Sequence, residues 1–217
     1  MPFRLGRERE EVPLAVSGLL RSGRHASFAE IEKKLRGRKE NVVAWVIGPG
    51  GYSYHLTEPD AEGRQEISRY IEPAPGRPYL PVEHVELKQV LERSGAPHEM
   101  HVMDLSEENL ALAKRQLDAS GVNAANVHYL QGNVAEALPQ TKPPHVIACH
   151  NVLFYLGPRT AGDALERLLA ALPKDGLLSL SEKDVEQVGR NRFKELTRNA
   201  RVEQHGQSFL VVKRMRK

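Results

Sequence analysis

Residues 145–156 read His-Val-Ile-Ala-Cys-His-Asn-Val-Leu-Phe-Tyr-Leu, with Pro143-Pro144 before them and Gly157-Pro158 after. Proline lacks the amide needed inside a helix or a central strand, so these breakers confine the run to a short element. A short apolar run between breakers reads as a strand buried on both faces, as in a parallel sheet covered by helices. The run turns polar at His150-Asn151, where the strand should end, and aromatic at Phe154-Tyr155. Ligands of open α/β sheets lie outside the carboxyl ends of the strands, which places His150 and Asn151 to touch one. A turn role for Asn151 and a packing role for the aromatics are equally open on these residues alone.

Strand and helix patterns alternate along the rest of the chain. Val42–Ile47 is a first strand and runs into Gly48-Pro49-Gly50-Gly51. Glycine in such a turn lets a ligand approach the backbone, although the spacing is neither G-x-G-x-x-G nor a P-loop, and a plain tight turn fits as well. Val82–Ser94 has helical periodicity and ends at Gly95. Glu99–Leu105 is a second strand with Asp104 at its end, where a carboxylate can accept from ribose hydroxyls. Ser106 is placed as the N-cap of a helix that ends at Gly121. Asn126–Leu130 is a third strand, followed by Gln131-Gly132-Asn133-Val134. After the central strand come a helix over 158–172, a strand over 177–180 ended by Ser181-Glu182, a short helix over 192–198, and a hairpin of 201–204 with 208–213. The pattern predicts a doubly wound α/β domain with an antiparallel end.

Two segments stand apart. Residues 1–40 predict an N-terminal helical cap, with Ser27 and Glu30 at capping-box spacing and Phe28, Ile31 and Leu35 on one face. Residues 52–81 hold five prolines and four tyrosines, and read as an inserted loop without regular structure that covers the active site as a lid. The single cysteine, Cys149, excludes an internal disulfide and a cysteine zinc site, and no metal site is expected. No run approaches the roughly 20 apolar residues of a membrane span, and the N-terminus lacks a signal-peptide apolar region, so the expectation is a cytoplasmic protein with no membrane partner. Net charge is +3, and the basic cluster Lys213–Lys217 reads as a solvated tail, so nucleic acid is not an expected partner.

Together these strand ends resemble the class I S-adenosylmethionine-dependent methyltransferases, most nearly the CheR-type chemotaxis receptor methyltransferases. The run Cys149, Asn151, Val152, Leu153, Tyr155 resembles that family's C-R-N-V-L-I-Y. Pro173, Gly176, Leu178 and Ser181-Glu182 resemble its P-x-G-x-L turn and Ser-Glu strand end. The resemblance implies a Rossmann-like, mostly parallel seven-stranded sheet with an antiparallel C-terminal hairpin over 41–217, and S-adenosylmethionine as cofactor. It implies that Gly48, Gly50 and Gly51 approach the methionine part, that Asp104 holds the ribose hydroxyls, that the adjoining Leu105 also binds the cofactor, and that Asn133 and Val134 border the adenine. Asn151 and Val152 would line the sulfonium side, with Tyr155 near the transferred methyl. His150, where the family has Arg, is the candidate base for an alcohol or phenol acceptor, whereas a carboxylate needs none. Pro49 stands in the place of the family's Cys, and about 50 residues separate the glycine turn from Asp104, against roughly 20 in such units. The acceptor is then a protein carboxylate or a small molecule. A catalytically silent binding module and a nucleic-acid methyltransferase are the other readings.

Overall fold

A computed structural model describes residues 27–49, 53–56, 67–70, 83–138 and 141–214. In chain order the elements are α1 (27–35), β1 (Val42–Ile47), β2 (Ser53–Leu56), β3 (Ile67–Tyr70), α2 (Glu83–Ser94), β4 (His98–Asp104) and α3 (Glu107–Ala119). There follow β5 (Val127–Gln131), β6 (Val146–Cys149), a single 3-10 turn (Leu153–Tyr155), α4 (Pro158–Ala171), β7 (Leu177–Ser181), α5 (Glu182–Val188), α6 (Arg190–Leu196), β8 (Ala200–His205) and β9 (Ser208–Lys213).

Seven strands form one sheet in the order β5-β4-β1-β6-β7-β9-β8. The first five are mutually parallel, and β9 and β8 close the sheet antiparallel, as expected from the sequence. The period of two in β1 divides its side chains between two cores. Val43, Trp45 and Ile47 pack with Ile147, Leu165, Leu168 and Leu178 on the α4 side. Val42, Ala44 and Val46 pack with Phe28, Ile31, Leu35, Leu87 and Leu91 on the side of α1 and α2. Both faces of β1 and β6 are therefore dry, which is why these strands read as unbroken apolar runs. Strand order reverses between β1 and β6, so their carboxyl ends flank a crevice at the switch point.

Four sequence expectations change. Within 52–81, β2 and β3 pair antiparallel, Ser53 opposite Tyr70 and Leu56 opposite Ile67, so this stretch contains regular structure; the remainder of it lies outside the described residues. The start of the N-terminal cap, residues 1–26, also lies outside them. Residue 27 is already helical, and Ser27 Oγ accepts from Ser179 Oγ at 3.1 Å instead of standing outside the helix as its cap. The helix expected at 192–198 runs from Arg190 to Leu196, and α5 precedes it unforeseen. Gly189, at φ +87°, splits the two, and seven residues are too few for a clear helical period.

Candidate active site

The ends of β5, β4, β1 and β6 stand side by side and carry most of the residues singled out in the sequence. Gly48 leaves β1 at φ +62°, a region that glycine enters without penalty. Its amide donates to Met103 O at 2.8 Å, which ties the turn to the end of β4. A Cβ at Gly48 would lie 2.6 Å from Val152 Cγ2, so the turn after β1 and the turn after β6 are in direct contact. Gly50 and Gly51 lie outside the described residues.

Asp104 ends β4, half-buried. Its Oδ1 accepts from the Ser106 amide at 2.9 Å and from Asn109 Nδ2 at 3.0 Å, while Ser106 Oγ caps α3 by accepting from Asn109 N. The carboxylate is thereby aimed by the helix it precedes. Leu105 is 67% exposed, and its carbonyl accepts from Gln131 Nε2. Gly132 donates its amide to Asp104 O at 2.9 Å, and a Cβ there would meet Met103 Sδ at 3.0 Å. Beside it opens a cavity of about 480 Å³, lined by Met103, Leu130, Gln131, Gly132, Asn133 and Leu138 among others, within the range of ligand pockets.

Asn133 lines this cavity, but its side chain is spent in its own turn: Oδ1 accepts from Ala135 N and Nδ2 donates to Glu136 Oε1. Val134 is buried in the α4-side core. The carbonyls of Val134 and Ala135 both accept from Arg167 Nη2 of α4, at 3.1 and 2.7 Å, so Arg167 fixes this turn from beneath. Nothing in the sequence marked Arg167, because it sits on a helix whose pattern shows only an apolar stripe.

His150 differs from the sequence reading. It is 4% exposed, its Nε2 is 2.8 Å from Ser179 Oγ, and its Nδ1 is 2.9 Å from Glu83 Oε1 at ion-pair distance but outside hydrogen-bond alignment. The Phe28 ring stands 5.8 Å from its own. Among the described residues, Ser179, Glu83 and Phe28 enclose the ring. Glu83, the first residue of α2, escaped notice because a helix N-terminus rich in acid normally faces water. Cys149 is fully buried, and burial foremost, then the charges of Asp184 and Glu83, push its thiol well above the ordinary range, so it packs and is no nucleophile.

Asn151 takes φ +57° and donates its amide to Asp184 Oδ2 at 2.7 Å. Phe154 N donates to Asp184 Oδ1 at 3.1 Å. Asp184 is fully buried, and that burial raises its carboxyl above the ordinary value against the lowering effect of the donors around it. Tyr155 and Phe154 are exposed at 67% and 45%, meet edge to face at 5.5 Å, and Lys183 Nζ stands 5.5 Å from the Phe154 ring. Among the described residues no group of three or more His, Cys, Asp or Glu is placed to hold a metal, and no helix is long and apolar enough to cross a membrane.

Fold and strand ends define a doubly wound α/β domain with a cavity at the ends of β4 and β5. Residues 86–176 match the family model described as "Methyltransferase domain". Among solved structures, the chain is similar to a putative S-adenosyl-L-methionine-dependent methyltransferase from Methanococcus maripaludis, at 10% identity and TM-score 0.55 over 98% of this chain and 99% of that one. It is also similar to the N-methyltransferase NodS from Bradyrhizobium japonicum WM9, at 8% identity and TM-score 0.54 over 88% and 96%. A putative methyltransferase from Streptococcus mutans, solved in complex with SAH, matches at 15% identity and TM-score 0.54 over 88% and 97%. No curated protein matches the chain. The fold is the Rossmann-like methyltransferase fold.

Proposed function

We propose that this chain is an S-adenosylmethionine-dependent methyltransferase that acts on a carboxylate of a protein or small molecule. The observation that carries the reading is the joint placement of Gly48 against Val152, Asp104 at the end of β4, and the cavity beside Gly132 and Asn133. Strand ends, a carboxylate and a glycine approach in that order suit a nucleoside with an amino-acid tail. The match to the methyltransferase domain and the shared fold support it.

The roles follow from the chemistry of each group. Asp104 accepts from the ribose hydroxyls. The cavity walls at Met103, Gln131, Gly132 and Asn133 enclose the adenine. Gly48 and the turn at Asn151-Val152 border the methionine part. The cofactor supplies a methyl already activated on a sulfonium. The protein then has to align the acceptor and exclude water. Tyr155 and Phe154, exposed at the end of the same turn, offer the acceptor an apolar face. His150 serves the site as a buried support for that turn and is no general base. An acceptor that is nucleophilic as it stands, such as a carboxylate, is therefore favoured over an alcohol. The likeness of the Cys149–Tyr155 run to theirs supports kinship with the CheR-type enzymes.

Calorimetric titration with S-adenosylhomocysteine, followed by mass spectrometry of acceptors incubated with S-adenosylmethionine, tests the proposal. Saturable binding and a gain of one methyl on a carboxylate are expected. Absence of binding by the folded protein overturns it. Binding without transfer to any acceptor would instead favour a silent cofactor-binding module.

A further inference from the structure

We infer that α5 is a brace for the cofactor site, and that Asp184 and Gln187 are positioning residues which set the shape of the Asn151–Leu156 turn. The inference rests on the reading that this turn borders the cofactor.

The turn leaves β6 and so loses its ladder partners. Its Asn151 and Phe154 amides and its Leu156 carbonyl need partners from elsewhere. All three find them on α5, and Asn151 N lies also 3.2 Å from Oγ of Ser181, the residue that caps this helix. Asp184 accepts from Asn151 N through Oδ2 and from Phe154 N through Oδ1, and Gln187 Nε2 donates to Leu156 O. Asp184 and Gln187 are three residues apart and so lie on one face of the helix. The same Asp184 oxygen also accepts from Ser181 N and Ser181 Oγ, completing a capping box for α5.

Capping alone does not account for Asp184. Ser181 already caps the helix by accepting from Asp184 N. Burying a carboxylate is costly unless several donors meet it, and two of its donors come from a segment thirty residues earlier. Helix and turn thus share one buried charge. The turn also holds Asn151 at φ +57°, a conformation that a free chain seldom keeps without such contacts. Through Val152, which presses on Gly48, the brace extends to the glycine turn after β1. Asp184, Asn151, Val152 and Gly48 form one mechanical path from α5 to the crevice.

The test compares Asp184→Asn, Gln187→Ala and Val188→Ala with the wild type. In Asp184→Asn the amide group must face either Phe154 N or Asn151 N, so one donor meets another donor. Val188 is a buried residue of the same helix and takes no part in these hydrogen bonds, so Val188→Ala reports the effect of destabilising α5 alone. Affinity for S-adenosylhomocysteine is measured by calorimetry at a temperature where circular dichroism shows every variant folded. Asp184→Asn is expected to weaken binding at least about tenfold, the loss of one charge-assisted hydrogen bond, with Gln187→Ala weaker in the same direction and Val188→Ala within about twofold. Equal affinities in Asp184→Asn and Val188→Ala overturn the inference while leaving the cofactor reading intact. Failure of the wild type to bind overturns the cofactor reading, and this inference with it. If Asp184→Asn does not fold, Gln187→Ala decides: binding weaker than that of Val188→Ala supports the brace, and equal affinity overturns it.

Discussion

Gly48→Ala is the most direct probe of the crevice. The new methyl would sit 2.6 Å from Val152 Cγ2, whereas carbon atoms in good contact lie about 3.5–4.0 Å apart. Val152 must therefore retreat by about 1 Å or change rotamer in a packed turn. Overpacking of this kind costs about 1–3 kcal/mol. Holding alanine at φ +62° adds about 1–2 kcal/mol. The stiffer unfolded chain returns about 0.4–1 kcal/mol. The net expectation is a loss of about 1–4.5 kcal/mol in urea unfolding, with an unchanged m-value. A double-mutant cycle separates the two costs. Val152→Ala removes the clashing methyls but not the backbone strain, so the Gly48→Ala/Val152→Ala chain should recover about 1–3 kcal/mol relative to additivity. A Gly48→Ala protein within about 0.5 kcal/mol of wild type, or strictly additive behaviour in the cycle, would refute the contact on which the crevice is built.

Three further outcomes are expected. Asp104→Ala should lower affinity for S-adenosylhomocysteine by at least about 1.5 kcal/mol in calorimetry, the low end for a lost hydrogen bond to a charged group; unchanged affinity in a folded variant contradicts the ribose role. Asn151→Gly should keep stability within about 1 kcal/mol of wild type, because glycine accepts the φ of +57°, and should still weaken the cofactor if the side chain borders it; full affinity would restrict Asn151 to a backbone role. His84 is buried, and desolvation lowers its pKa to about 4, while its Nε2–H donates to Ala113 O. As pH falls from about 6.5 towards 4, the unfolded chain takes up a proton there that the folded chain does not, so stability is present above that window and lost through it. Urea unfolding at pH 6.5 and 4.5 should show a smaller acid loss in His84→Leu, by about 2 kcal/mol; equal losses would mean that His84 is not neutral in the fold.

Local chemistry was enough to read the seven-stranded sheet and the helices α2, α3 and α4. The breakers around 145–156, Ser106 before α3, and Gly95 and Gly121 after α2 and α3 each act within a few residues. Their structural meaning is therefore visible in the chain itself. The apolar runs of β1 and β6 required helices on both faces, and the observed sheet has them. The strand ends, with Gly48, Asp104 and Asn151, were legible for the same reason: a polar or glycine residue where an apolar run stops marks the rim of a parallel sheet. What remained hidden depends on partners distant in sequence. His150 looks the same as a base or as a buried support, and only Glu83, Ser179 and Phe28, brought to it from α2, β7 and α1, decide that it is enclosed. Asp184 reads as an ordinary acid in a short helix until folding sets it against amides thirty residues away, and Arg167 as a surface cation until its guanidinium meets the Val134 carbonyl. Propensity and periodicity are properties of neighbours along the chain, whereas desolvation and hydrogen-bond pairing belong to neighbours in space, so the rim of the site was determined by sequence and its supports by tertiary structure alone.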